Sequence, residues 1–387
     1  MSNKIKRGGN GMFGRTKNNI WVKIVIWVVA LGILFYGGYY LGSAILKKSS
    51  GKPAEQSSSE TGSSSRPSEQ PSEKPAVSSP ESTADGPILF CPSDILTDAG
   101  KRADFIRDAA EQKASGIAFF AKDENGRVWF AAENEIARRS KALSDRAADA
   151  KTLSEEFRKA GLKGIPVLYT FRDPLTPSKN PAMGIWYNNG IDNYLWLDNF
   201  ADKGGKAWLN PYHKDARGYI LSLSDELYQA GFQTVIFAGN EFGASAKNNS
   251  ATYGDVKGTH LEAMTAFVNE CEQQAGRHKA VCYFAEDAEA LLRGGRNLGA
   301  SFMETGASHI APAFSLSRLS HNLKAGDRTF KVPSDDPAGV TEALMAAYAK
   351  KNSRASFLPV FFDYKSVASL QAGALKEGTP YLIVQSK

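Results

Sequence analysis

Five short polar steps, each following an apolar run, are the places where this chain could do chemistry. They are Lys122-Asp123, Arg172-Asp173, Asn240-Glu241, Glu286-Asp287 and Asp363-Tyr364, and together they hold six carboxylates. Gathered carboxyl groups supply general acids and bases when burial or a neighbouring charge pushes one of them toward neutrality. The same residue types also cap helices and coat surface loops, so their presence alone leaves both roles open. Between Arg172 and Asn210 a long segment carries Trp186, Tyr187, Tyr194, Trp196, Phe200 and Trp208. Aromatic faces with Asn and Asp between them suit sugar rings, whose C–H faces are apolar and whose rims are polar. A segment of that length also needs a small core of its own, which the same rings would furnish. Other chemistries lack their signatures: there is no P-loop, nucleophile elbow or catalytic-Cys motif. The five histidines, His213, His260, His278, His309 and His321, are dispersed. No metal and no cofactor is expected.

The elements that must position these groups are legible as eight apolar runs. They lie at Ile88–Cys91, Ile117–Ala121, Ile165–Phe171, Thr234–Ala238, Ala280–Ala285, His309–Phe314, Phe357–Phe362 and Tyr381–Gln385. Helical patterns fall between most of them, near 101–113, 151–160, 211–230, 260–275, 340–351 and 366–376. In the third of these helices Ile220, Leu223, Leu227 and Ala230 form an apolar stripe, with Asn210 able to cap it, Pro211 suited to its first turn and Gly231 able to stop it. Eight strand–helix units over residues 87–387 fit an α/β fold of the (β/α)8 TIM-like barrel type. A doubly wound open sheet is the alternative, but no glycine-rich dinucleotide fingerprint follows the first run. In the barrel, chemistry sits at the C-terminal ends of the strands, where all five polar steps fall. The three cysteines, Cys91, Cys271 and Cys282, are odd in number and widely spaced, which argues against a disulfide framework or a zinc site. Burial is the simplest role for Cys271, and a Cys271–Cys282 bridge stays open.

The first ninety residues have another character. Of 47 Lys plus Arg against 41 Asp plus Glu, six bases lie within residues 1–23, which contain no acid. The remainder is balanced, so the basic charge is a property of the N-terminal tail, and composition supports no nucleic-acid partner. Residues 24–46 carry no charge. As a helix they would rise about 34 Å, enough to cross a ~30 Å hydrocarbon layer. They are expected to be a transmembrane helix in the lipid bilayer, with residues 1–23 cytoplasmic by the positive-inside rule. A cleaved signal peptide is the rival, with Gly42-Ser43-Ala44 as its small-residue site, although its apolar region would be only about 7–15 residues long. Residues 47–86, rich in Ser and Pro and without an aromatic ring, read as a disordered linker. The barrel is then extracytoplasmic.

Three segments carry a family resemblance: KDENGRVWF at 122–130, FRDPL at 171–175 and WLNPYHKDARGYILSLSDELYQAGFQTVIF at 208–237. They resemble a largely uncharacterised bacterial family of glycosyl-hydrolase TIM-barrel domains. The resemblance implies an Asp on strand two and a Phe-Asp-Tyr-x-Arg-Phe-Pro motif closing strand four. This chain has Phe120 at the first place, and Ala238 and Glu241 where the motif has its Asp and Arg. An Asn-Glu step after strand four and an acid after strand seven also resemble the retaining glycosidases built on this barrel. That likeness implies Glu241 as acid/base and Asp363 as nucleophile, with Asp173 and Glu286 as alternates. Lys122, Asp123, Arg172, Asn240 and Tyr364 would contact the substrate, with Trp186 and Trp196 stacked on it.

Two functions follow from these readings. One is a membrane-anchored glycoside hydrolase acting on a cell-envelope or extracellular polysaccharide. The other is a catalytically inactive barrel serving as a glycan-binding or envelope scaffolding module. The charge step across residues 24–46 predicts that protease added to intact cells digests the barrel domain. Protection of that domain until lysis would reverse the orientation, and a shortened soluble form would establish the cleaved signal.

Overall fold

Alternation within the apolar runs decides which side chains face inward, and the computed structural model resolves that alternation strand by strand. It describes residues 86–188, 193–243, 251–295, 297–315, 319–331, 337–362 and 380–384. The expected membrane helix and linker, the 366–376 helix, Asp363, Tyr364 and Gln385 lie outside the described residues. Among the described residues, no helix is long and apolar enough to cross a membrane.

Within an eleven-stranded sheet among the described residues, eight strands form the barrel: β1 (Pro87–Cys91), β2 (Gly116–Lys122), β3 (Lys163–Tyr169), β4 (Thr234–Ala238), β5 (Val281–Asp287), β6 (His309–Phe314), β7 (Val360–Phe361) and β8 (Tyr381–Ile383). Each pairs in parallel with its sequence neighbour, and β1 pairs with both β2 and β8, so the sheet closes. This is the expected (β/α)8 barrel. Ile88, Ala118, Ile165, Val167, Ile236, Ala238, Ala311, Val360 and Leu382 share one buried cluster inside it. Their alternates, among them Leu89, Phe119, Leu168, Phe237, Phe284 and Ile310, pack in the larger cluster shared with the helices. Successive side chains of a strand point to opposite faces, so a parallel barrel buries both sets.

The main helices are α1 (Ala99–Glu111), α2 (Ala150–Lys159), α3 (Lys214–Gln229), α4 (His260–Arg277) and α5 (Pro337–Lys351). Helix α2 is capped by Asp149, which accepts from the Thr152 amide at 2.7 Å, and buries Leu153 and Phe157. Helix α4 begins with a full capping box formed by Thr259 and Glu262. Helix α3 buries Ile220, Leu223 and Leu227 as its stripe requires, but it starts later than expected. His213 is its N-cap, because the Asn210 side chain is used in a preceding turn, accepting from the Tyr212 amide at 3.0 Å. The seventh run is also shorter than expected. Ser356–Phe357 pairs separately with β6 and Pro359, lacking an N–H, interrupts the run before β7. The bridge left open between Cys271 and Cys282 is not formed; all three cysteines are free and buried.

One ion pair lies wholly inside the protein. Lys122 Nζ, at the end of β2, is 3.1 Å from Asp173 Oδ2, and both side chains are 0% exposed. Lys122 also donates to the Tyr169 carbonyl at 2.8 Å. Asp173 accepts from the Leu175 and Thr176 amides at 3.0 and 2.9 Å and from the Thr176 hydroxyl at 2.8 Å. Gly126, with φ +81°, passes so close that a Cβ there would fall 2.3 Å from Asp173 Oδ1. Removing one member of such a pair leaves a buried charge without compensation. Lys122→Met is therefore expected to lower unfolding stability by about 3–5 kcal/mol in urea titration. Adding Asp173→Asn should recover part of that loss, since the amide still accepts from Thr176.

Candidate active site

At the C-terminal end of β4 the chain turns sharply and delivers two polar residues. Gly239 makes the turn with φ +66°, and a Cβ there would lie 3.0 Å from the Tyr169 ring. Thr170, just past β3, ties this turn down by donating to the Gly239 carbonyl at 2.7 Å. Asn240 follows, 2% exposed, with its amide donating to the Phe237 carbonyl at 2.9 Å and to Glu286 Oε1 at 3.2 Å. Glu241 comes next. Its side chain is exposed to solvent, and no described residue hydrogen bonds to its carboxylate.

Glu241 and Glu286, from adjacent strand ends, both resist ionisation. Loss of hydration raises the Glu241 carboxyl above its ordinary value. The Arg172 guanidinium opposes that shift and the Asp287 carboxylate adds to it. Glu286, partly exposed, is pushed well above the carboxylate range, first by desolvation and then by the charge of Glu241. The amide of Asn240 works against the shift and Asp287 again adds to it. A carboxyl pushed toward neutrality beside a second acid keeps its proton, the condition for general acid catalysis near neutral pH.

Arg172 is held beside the pair by Glu124, whose Oε2 lies 2.9 Å from its Nη1, and its guanidinium carbon stands 5.4 Å from the Trp208 ring centre. The barrel mouth also has an aromatic lining. Phe90, Phe120 and Tyr169 are half-buried against the inner cluster, with ring centres 4.7 Å apart for the first pair and 5.8 Å for the second. None of these three was expected from the sequence to contact a ligand, although Phe120 stands at the place of the family's strand-two acid. Their signal was the inward parity they share with Ile88, Ala118 and Val167, two residues earlier on the same strands.

Several expected site residues are engaged elsewhere. Lys122 and Asp173 are closed inside the ion pair, so neither reaches a substrate. Asp123 turns back on its own loop, accepting from the Asn125 and Arg127 amides and from Trp129 Nε1 at 3.0 Å. Trp196 is 1% exposed and packs with Ile185 and Trp208 as a separate small core. Its ring is closed to a sugar; here the loop needed its own core. Trp186 is half-buried in a three-stranded sheet formed by Trp186–Asn188, Asn193–Leu195 and Ala251–Thr252. Asp363 and Tyr364 lie outside the described residues. Among those described, no group of three His, Cys, Asp or Glu could hold a metal ion.

Residues 90–287 match the family model described as "Putative glycosyl hydrolase domain". The chain belongs to that family. The matched region runs from β1 through β5 and includes the strand ends bearing Glu241 and Glu286. Similar solved structures include the glycoside hydrolase domain of PgaB (BpsB) from Bordetella bronchiseptica. It has a TM-score of 0.48 and 14% identity, over 78% of this chain and 93% of that one. A hypothetical protein from Ruminiclostridium thermocellum gives a TM-score of 0.43 and 20% identity over 51% of this chain and 96% of that one. Ega3 from Aspergillus fumigatus, in complex with galactosamine, gives 0.40 and 11% over 80% and 95%. No curated protein matches the chain in sequence.

The raised carboxyls of this glycosyl hydrolase domain carry a stability consequence of definite sign. Both Glu241 and Glu286 bind a proton more tightly in the folded chain than in the unfolded one. Their contribution favours folding below the unfolded carboxyl range and is lost as pH rises through the folded values. Glu286→Gln removes the charge and keeps the acceptor for Asn240. It should raise Tm at about pH 8 while changing it little below about pH 4. A lower Tm at the higher pH would contradict the assignment.

Proposed function

We propose that the chain is a glycoside hydrolase acting on a cell-envelope or extracellular polysaccharide, held at the outer face of a bacterial membrane by residues 24–46. The observation that carries the catalytic part is the Glu286 carboxyl at the end of β5, raised by desolvation and by the charge of Glu241 from the adjacent strand end. In this reading Glu286, raised by desolvation and by the charge of Glu241, keeps the proton and donates it to the glycosidic oxygen as the bond to the leaving group breaks. Glu241, with Arg172 favouring its ionised form, is the carboxylate that meets the anomeric carbon or the water attacking it. These roles differ from the Glu241–Asp363 pairing drawn from the sequence, because the charge of Glu241 holds Glu286 toward neutrality while Arg172 favours the ionised form of Glu241. Asn240 orients Glu286 through its amide. Phe90, Phe120 and Tyr169 offer ring faces to the sugar. The membrane part rests on the uncharged 23-residue stretch behind a basic tail.

A second reading is favoured by one feature. Phe120 occupies the place where the family resemblance implies an acid, and an aromatic mouth holds a glycan without cleaving it. Polysaccharide hydrolysis by the wild type and its two amide variants separates the readings. Glu286→Gln and Glu241→Gln should each slow cleavage by roughly 10²-fold or more while leaving polysaccharide retention intact. If the wild type retains polysaccharide through Phe120, losing it in Phe120→Ala, yet cleaves none of it, the barrel is a binding module.

A further inference from the structure

The end of the barrel where the strands begin, opposite the carboxylates, contains a cavity of about 370 Å³. That is within the range of small-molecule sites, roughly 300–1,000 Å³. Its wall includes Ile88, Ile165 and Leu358, buried members of the inner barrel cluster. Its lining also holds three exposed cations delivered by three separate positions: Arg158 near the end of α2, Lys163 at the start of β3 and Lys279 just before β5. No Asp or Glu is among the lining residues. Among the described residues none of the three cations forms an ion pair, although pairing is common elsewhere in the domain. Glu156, on the same helix as Arg158, is taken by Arg102 at 2.6 Å.

We propose that this cavity binds an anionic amphiphile, its phosphate or carboxylate head on Arg158, Lys163 and Lys279 and its hydrocarbon against Ile88, Ile165 and Leu358. Three like charges around one concavity repel one another and focus a positive potential into it, which an anion relieves. Guanidinium and ammonium groups bind phosphate and carboxylate through charge-assisted hydrogen bonds, and Arg does so bidentately. A bare anion would leave the apolar wall wet, and an uncharged sugar would leave the cations unmet. The chain also enters the barrel at this face, where the hydroxyl of Ser115, another lining residue, donates to the Gly86 carbonyl at 2.7 Å. Both a free amphiphile and a lipid of an adjoining bilayer present this chemistry.

The test is equilibrium binding of hexyl phosphate and inorganic phosphate to the full chain in neutral phosphatidylcholine nanodiscs. Hexyl phosphate should bind saturably at one site and roughly tenfold or more tighter than inorganic phosphate, through the buried alkyl chain. Replacing Arg158, Lys163 and Lys279 together by Gln should weaken it by a further factor of roughly ten or more without moving Tm, because all three are exposed. Equal binding of the two phosphates, or unchanged binding in the triple variant, would overturn the proposal. With the site present, loss of hexyl phosphate binding in phosphatidylglycerol nanodiscs assigns the occupant as a bilayer lipid, and retention assigns a free amphiphile. Hydrolysis by Glu286 plays no part in this readout, so the two proposals stand or fall separately.

Discussion

The buried pair of Lys122 and Asp173 constrains everything built on the β2 and β3 rim. Two opposite charges, each sealed from solvent, lie 3.1 Å apart where those strands end. Their desolvation is tolerable only because every remaining valence is met, by the Tyr169 carbonyl on one side and the Thr176 amide and hydroxyl on the other. The geometry that satisfies them leaves the β3 exit one course. Asp173 accepts from the Leu175 and Thr176 amides that open the short helix Leu175–Lys179, which starts the aromatic loop. Arg172, one residue earlier, is left outside the sealed pair to meet Glu124 and to bear on Glu241. A pair that looked available to substrate is the interior support from which the mouth is hung.

The mouth itself opposes desolvation against charge. Glu286 feels the charge of Glu241, and Arg172 offsets only part of the cost for Glu241. A site arranged purely for stability would pair each acid with its own base, as Arg217 does with Glu270 at 2.9 Å on the outer helices. Here two acids stand at adjacent strand ends with one flanking arginine, and the imbalance itself is what retains a proton. The turn at Gly239 is part of the same device, since only a residue without Cβ fits beneath the Tyr169 ring and brings Asn240 to Glu286.

The opposite end of the barrel has the inverse electrostatics. Arg158, Lys163 and Lys279 surround a cavity with no acid in its lining. The fold thus carries its raised carboxyls at one end and a cluster of cations at the other. The strands that join them are packed with aliphatic and aromatic side chains, which keep the two ends chemically separate.

The barrel was readable before any coordinates, because a strand buried on both faces must be an apolar run and eight such runs were present. All eight coincide with strands, including the short final ones at Val360–Phe361 and Tyr381–Ile383. The polar steps at strand ends were readable for the same reason: they interrupt the runs. What those polar groups do was decided only by the tertiary structure. Asp123, Asp173 and Glu286 are all carboxylates just beyond or at the end of apolar runs, yet one binds backbone amides, one is sealed with Lys122 and one faces a second acid. Nothing local separates them, because a carboxyl's role depends on the partners brought to it from distant segments. Trp196 and Phe120 make the same point for aromatics: the loop tryptophan is buried and the strand phenylalanine reaches the mouth. Sequence periodicity determines which residues a sheet must bury; only the closure of the sheet determines which charges then share one dielectric environment.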